Sequence, residues 1–121
     1  MEFAPVTIFF LLLVKHTIAD YFCQYGWMIK DKGTYGAFGG LAHSKFHAIL
    51  TLAVLYLCGV PFLYSLLLSA LDGIAHYHID YAKSNLWKRK KLTAADQLFW
   101  VAHGLDQLAH VLTYYIIVLN L

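Results

Sequence analysis

An all-α integral membrane four-helix bundle is the fold class that the sequence predicts, and three observations predict it. Apolar residues make up 60% of the 121 residues and charged residues only 13%, whereas a soluble domain carries about 25% charged and 45–50% apolar residues. The apolar residues gather into four segments, each near the roughly 20 residues that a bilayer crossing takes. Apart from Lys15, every Lys and Arg lies in or beside the first or the third of the intervening loops.

The first segment runs over about residues 4–25 and opens at Pro5. It lacks a basic leader and a small-x-small cleavage site, so it is read as a retained helix and not as a signal peptide. The second covers about 41–58, stopped by Gly59-Val60-Pro61. The third covers about 61–82 and forms a tight antiparallel pair with the second. The fourth starts near Thr93, where Thr93 and Asp96 have the spacing of a helix start. Its first two turns are assigned to the interface and its span to about 98–121. The whole chain, 1–121, is read as one domain. The loop Gly26–Gly40, rich in Gly and aromatics, is expected to re-enter the interface in part.

Orientation follows from charge. Lys30, Lys32 and Lys45 mark the first loop, and Lys83, Lys88, Arg89, Lys90 and Lys91 mark the third. Basic loops stay in the cytoplasm, so both termini face out. The location expected is a membrane. The net charge is only +2 and the one basic run is short, so there is no nucleic-acid-binding signature. That run is read as a topology signal and an anchor to anionic membrane lipids. Cys23 and Cys58 give neither a disulfide framework nor a zinc-ribbon spacing and are read as reduced packing residues.

The spans carry ionisable residues that a bilayer tolerates poorly. One central Asp costs about 2.5–3.5 kcal/mol on the insertion scale, and each Leu, Ile or Phe returns about 0.3–0.6. Such groups normally face a bundle interior and serve function. His16 and Asp20 are four apart, as are His43 and His47. Asp72, His76 and Asp80 form one stripe, and His103, Asp106 and His110 another. Interhelical hydrogen bonds average only about 0.6 kcal/mol in membranes, so polar pairing alone repays little of the cost.

On the predicted topology these groups gather in the cytoplasmic half. The expected metal ligands are His16, Asp20, His47, His76, Asp80, Asp106 and His110. His and carboxylate donors suit a divalent transition metal, zinc first, with iron or manganese as alternatives. Seven ligands exceed one tetrahedral ion, which allows two. His43 and His103 stay open as ligands, and His78, two residues from His76, is expected to point elsewhere. Asp72 is expected to orient a ligating His, and Lys83 and Gln107 to hold ligands or a substrate phosphate.

Three short patterns carry a family resemblance. They are His16-x-x-x-Asp20-Tyr21-x-x-Gln24, His76-x-x-x-Asp80-Tyr81-x-Lys83, and Asp106-Gln107-x-x-His110, completed by His47 or His43 in the second helix. On these the chain resembles small bacterial and phage integral membrane proteins of a domain-of-unknown-function family, family 3307. The resemblance covers nearly the whole chain. It implies the multi-helix membrane fold and the polar positions, and no activity.

The leading functional expectation is a metal-dependent hydrolase at the cytoplasmic face, acting on a phosphate-bearing lipid or nucleotide. No Ser-centred elbow or Cys/His pair is present, so water is the nucleophile expected. Divalent-metal transport is the first alternative; with four spans it requires a homodimer. A non-catalytic phage or host membrane effector is the second.

Overall fold

The computed structural model describes residues 3–121, and among them the chain is all-helical, with no strand. Helix α1 covers Pro5–Thr17 and continues into a π-helical turn, Ile18–Phe22. A short α2, Gly26–Ile29, lies in the first loop. The long helices are α3, Phe38–Leu57, α4, Phe62–Lys90, and α5, Gln97–Leu119. They pack cyclically, α1 on α3, α3 on α4, α4 on α5, and α5 on α1.

Local chemistry sets most of these limits. Pro5 takes the first helical position, where its missing N–H costs nothing. Helix α3 closes when Gly59 adopts φ +91° and the Val60 N–H donates to Leu55 O at 3.1 Å. That is a glycine-terminated helix end, and it turns the chain straight into α4 behind Pro61.

Three boundaries differ from those the sequence predicts. Helix α4 runs eight residues beyond the expected end at 82, so Lys83 and the basic run sit on helical turns. No Pro or Gly interrupts that stretch, and the end of a bilayer does not end a helix. Helix α5 starts at Gln97, and the two turns expected from Thr93 are not helical. Asp96 itself is the residue before the helix, and its Oδ2 accepts from the Thr93 N–H at 2.8 Å, the reverse of the expected cap. The first span ends at Phe22. Two helical stretches, Pro5–Phe22 and Phe38–Leu57, are long and apolar enough to cross a membrane by length and composition.

Polarity in this bundle is inverted. Buried side chains include Lys15, His16, His43, His47, Asp72, His76, Asp80, Asp106 and His110, while Phe10, Leu57, Leu63, Leu105 and Leu119 are exposed. The apolar core occupies one half only. Ile8 and Leu12 meet Leu55, Leu68, Tyr114 and Ile117 there. The other half, where the chain leaves the π-helical turn and enters α3, holds the polar groups.

The first loop closes that polar half. Gly33 O accepts from Asn85 Nδ2 at 3.3 Å, and the Gly36 N–H donates to the Tyr77 hydroxyl at 2.6 Å. The Tyr35 ring packs edge-on against Tyr77 and Tyr81. Gly39 lies so close to α2 that a Cβ there would meet Trp27 O and Met28 Cα. Backbone atoms cannot rotate away, so Gly39→Ala is expected to cost about 1–3 kcal/mol as an overpacked contact. It should also release the loop. A lower melting temperature with faster proteolysis between residues 26 and 37 is the outcome expected; an unchanged protease pattern would reject this docking.

Candidate metal centre

The polar half is built from five facing segments. The π-helical turn supplies Asp20. Its wider i→i+5 winding, marked by the Cys23 N–H donating to Ile18 O at 2.9 Å, keeps Asp20 beneath His16, and their Nε2 and Oδ2 atoms lie 3.0 Å apart. Single π turns of this kind recur at functional sites. Helix α3 supplies His43 and His47, fully buried and one turn apart. Helix α4 supplies His76 and Asp80, and α5 supplies Asp106 and His110, each pair again i, i+4. The first loop supplies Lys32.

Two donor groups result. Asp20, His43, His47 and His76 form one, and His76, Asp80 and His110 the other, each with one donor atom per residue mutually within 4.8 Å. In the first group, Asp20 Oδ1 lies 2.8 Å from His47 Nε2, 3.1 Å from His43 Nε2 and 4.0 Å from His76 Nε2. His43 Nε2 and His76 Nε2 are 3.2 Å apart. Four donors around one tetrahedral ion, with bonds of roughly 2.0–2.1 Å, stand about 3.3 Å from each other. The observed separations bracket that value, and the residue types fit the same ion.

In the second group, Asp80 Oδ1 is 3.1 Å from His110 Nε2 and Asp80 Oδ2 is 3.2 Å from His76 Nε2. A neutral imidazole offers one nitrogen lone pair, so His76 serves one ion at a time. A second ion would draw on Asp80, His110 and Asp106, whose Oδ2 lies 3.4 Å from His110 Nε2. His47, His76 and His110 stack, with centroids 3.6 and 4.1 Å apart and planes within 25° and 22°. His43 Nδ1, His76 Nδ1 and Asp106 Oδ1 are buried without a hydrogen-bond partner.

Around these donors lie three ammonium groups, those of Lys15 and Lys32 buried and that of Lys83 partly buried. Lys32 Nζ is 3.0 Å from Asp80 Oδ2 and also donates to Gln24 Oε1. Lys83 Nζ pairs with Asp106 Oδ2 at 3.1 Å and lies 4.9 Å from the Trp87 ring centre. Lys15 Nζ pairs with Asp72 Oδ2 at 3.1 Å and reaches His47 Nδ1 at 3.1 Å. Ligation through His47 Nε2 puts the ring proton on Nδ1. An ammonium cannot accept it, so Lys15 would then keep Asp72 and the His47 carbonyl, 3.5 Å away.

All seven expected ligands, His16, Asp20, His47, His76, Asp80, Asp106 and His110, lie in this one cluster. His16 is at its edge, bonded through Nδ1 to the Tyr114 hydroxyl at 2.7 Å, with Nε2 3.0 Å from Gln107 Oε1. Gln107 also donates to Asp106 Oδ2 at 3.0 Å, so it ties His16 to Asp106. His103 meets only the edge, 3.4 Å from Lys83. His78 points away, 2.9 Å from the Tyr35 hydroxyl.

Asp72 departs from its expected role. It touches no histidine and instead holds Lys15 and the Thr51 hydroxyl, the latter at 2.6 Å. The reason is depth, since Asp72 sits one turn beyond His76, at the border with the apolar core. Three cluster residues were not assigned from sequence. His43 carried a signal, its i, i+4 relation to His47. Lys15 carried a weaker one, a lone cation inside an apolar helix. Lys32 carried none beyond its loop position, because only the loop's fold brings it inward.

No curated protein and no solved structure is significantly similar to this chain. A family model described as "Protein of unknown function (DUF3307)" matches residues 8–121, and the match takes in every residue of the donor cluster, so this chain belongs to that family.

Proposed function

We propose that this chain is a membrane-embedded, metal-dependent hydrolase that acts on a phosphate ester at the cytoplasmic face. The observation that carries the reading is the convergence of His43, His47 and His76 Nε2 on Asp20 Oδ1 at near-tetrahedral spacings. Burying so many polar groups is costly for stability alone, whereas a bound divalent cation makes the set coherent. Such an ion supplies polarisation of water and of a phosphoryl oxygen.

The inverted polarity supports four membrane crossings. Counting the π-helical turn, each of the four long helical stretches reaches about 27 Å or more at 1.5 Å per residue, close to the roughly 30 Å of hydrocarbon. The polar residues midway along α4 and α5, Asp72, His76, Asp80, Asp106 and His110, are turned inward. The basic residues at the end of α4 support a cytoplasmic placement of the polar half, with both termini outside.

Hydrolysis here means that a water oxygen bonds to phosphorus as the ester P–O bond breaks. One water proton ends on the leaving oxygen, relayed by a cluster carboxylate. Lys83 offsets charge on the phosphoryl group, and Gln107 holds Asp106 and His16 in register. The packed apolar half beyond Asp72 favours an enzyme over a carrier, because it blocks the site on one side.

Elemental mass spectrometry of the purified protein tests the reading. Wild type should carry one or two equivalents of zinc, iron or manganese. His76→Ala, which breaks the first donor group, should lose at least one equivalent, with unchanged elution as folded protein. An ion-free wild type that also refuses reloading would end the metalloenzyme reading.

A further inference from the structure

Helices α4 and α5 pack on each other without filling the whole of their seam. Two clefts follow their seam. One, of about 470 Å³, lies between residues 64–75 and 113–120, with Leu67, Leu71 and Ile116 among its walls. The other, of about 320 Å³, lies between residues 79–86 and 102–109. Both clefts use the same stripe of each helix. Together they follow α4 from Tyr64 to Leu86, about 33 Å at 1.5 Å per residue, which matches the roughly 30 Å of a bilayer's hydrocarbon.

The seam is apolar along most of its course and carries one charged pair, Lys83 and Asp106, at one end. Lys83 and Asp106 form the floor of the second cleft, which Ala82, Ala102 and Ala109 keep wide. The Asp106 side chain is 2% exposed, and its Oδ1 has no hydrogen-bond partner. A buried carboxylate oxygen of this kind lacks a donor that the protein does not supply. Beside it, Lys83 offers a cation, and the next turns of α4 add Lys88, Arg89 and Lys90. A long apolar trough that ends in a cation, an unfilled acceptor and a basic rim fits an amphiphile with acyl chains, a phosphate and a hydroxyl donor.

We infer that the α4–α5 seam is a lateral binding groove for a glycerophospholipid with a hydroxylated headgroup, its phosphate on Lys83 and a headgroup hydroxyl on Asp106. The groove deepens the hydrolase reading by naming its substrate class as a lipid that enters sideways from the bilayer. Asp106 Oδ2 lies 3.4 Å from His110 Nε2, so a headgroup held on Asp106 borders the donor cluster.

The test is lipid retention by native mass spectrometry on full-length protein in detergent, after chelation, so that binding is read without turnover. The probes are phosphatidylglycerol, phosphatidylcholine, which lacks a headgroup donor, and glycerol phosphate, which lacks chains. Phosphatidylglycerol should be retained about tenfold over phosphatidylcholine, the scale of one charge-assisted hydrogen bond. Glycerol phosphate should not be retained. Asp106→Ala should remove the preference, Lys83→Met should weaken both lipids, and Ala102→Trp, which fills the cleft, should remove retention of both. Leu105→Gln, which wets the trough, should weaken both lipids and keeps the test open should the Trp variant not fold.

Equal retention of the two lipids by wild type would overturn the inference. So would binding of glycerol phosphate as strong as that of the lipid, or wild-type retention in a folded Ala102→Trp protein. Retention without any stoichiometric metal would leave the groove standing and remove the hydrolase. Stoichiometric metal without lipid preference would do the opposite.

Discussion

Asp20→Asn should lower the affinity for a divalent transition metal by at least about a hundredfold, the upper end of what removing even an outer-shell partner costs. The carboxylate stands alone among three imidazoles, with Oδ1 facing His43, His47 and His76 and Oδ2 facing His16. The amide keeps the shape and loses the charge and one acceptor. Competition titration with a chromogenic chelator reads the constant directly. The same titration on His78→Ala, which alters a histidine outside the cluster, should match wild type. If Asp20→Asn binds as tightly as wild type, the first donor group is not the site.

Lys15→Met should be the most destabilising single change outside the donor set, by about 3–5 kcal/mol, the range found when one partner of a buried ion pair is removed. Lys15 is 3% and Asp72 1% exposed, and the truncation leaves Asp72 with the Thr51 hydroxyl alone. Asp72→Asn in the same chain should recover most of the loss, since a neutral amide needs no counter-charge. The melting temperatures of the two single variants and the double variant in one detergent give the coupling. Single and double losses that simply add would mean that the pair contributes no mutual stabilisation.

The part of this molecule that was legible in its sequence is the part that follows from helical periodicity. His16 and Asp20, His76 and Asp80, and Asp106 and His110 each fall on one face at i, i+4, and apolar neighbours made their inward turn the only economical one. What periodicity does not encode stayed hidden. Lys32 is twelve residues from the nearest assigned ligand on one side, Asp20, and fifteen on the other, His47, and no helical face relates it to Asp80. Only the seating of Gly33, Gly36 and Gly39 against α4, Tyr77 and α2 brings it in. Asp72 had the right face but the wrong depth, and depth along a helix is set by packing of its neighbours. The start of α5 was misplaced because Thr93 and Asp96 suit either end of a three-residue turn, and only the backbone hydrogen bond decides which residue caps.

Lys32 carries one more implication. With carboxylates as anions, ammoniums as cations and imidazoles neutral, the four Asp of the polar half (Asp20, Asp72, Asp80, Asp106) and its three Lys (Lys15, Lys32, Lys83) leave one negative charge in excess. One divalent cation bound there would overshoot neutrality by a single positive charge, and withdrawal of Lys32 would remove that surplus. Metal and docked loop would therefore be rivals for Asp80, linked by a reciprocal free energy. Each would weaken the hold of the other, and the free-ion concentration would set how tightly the loop is latched.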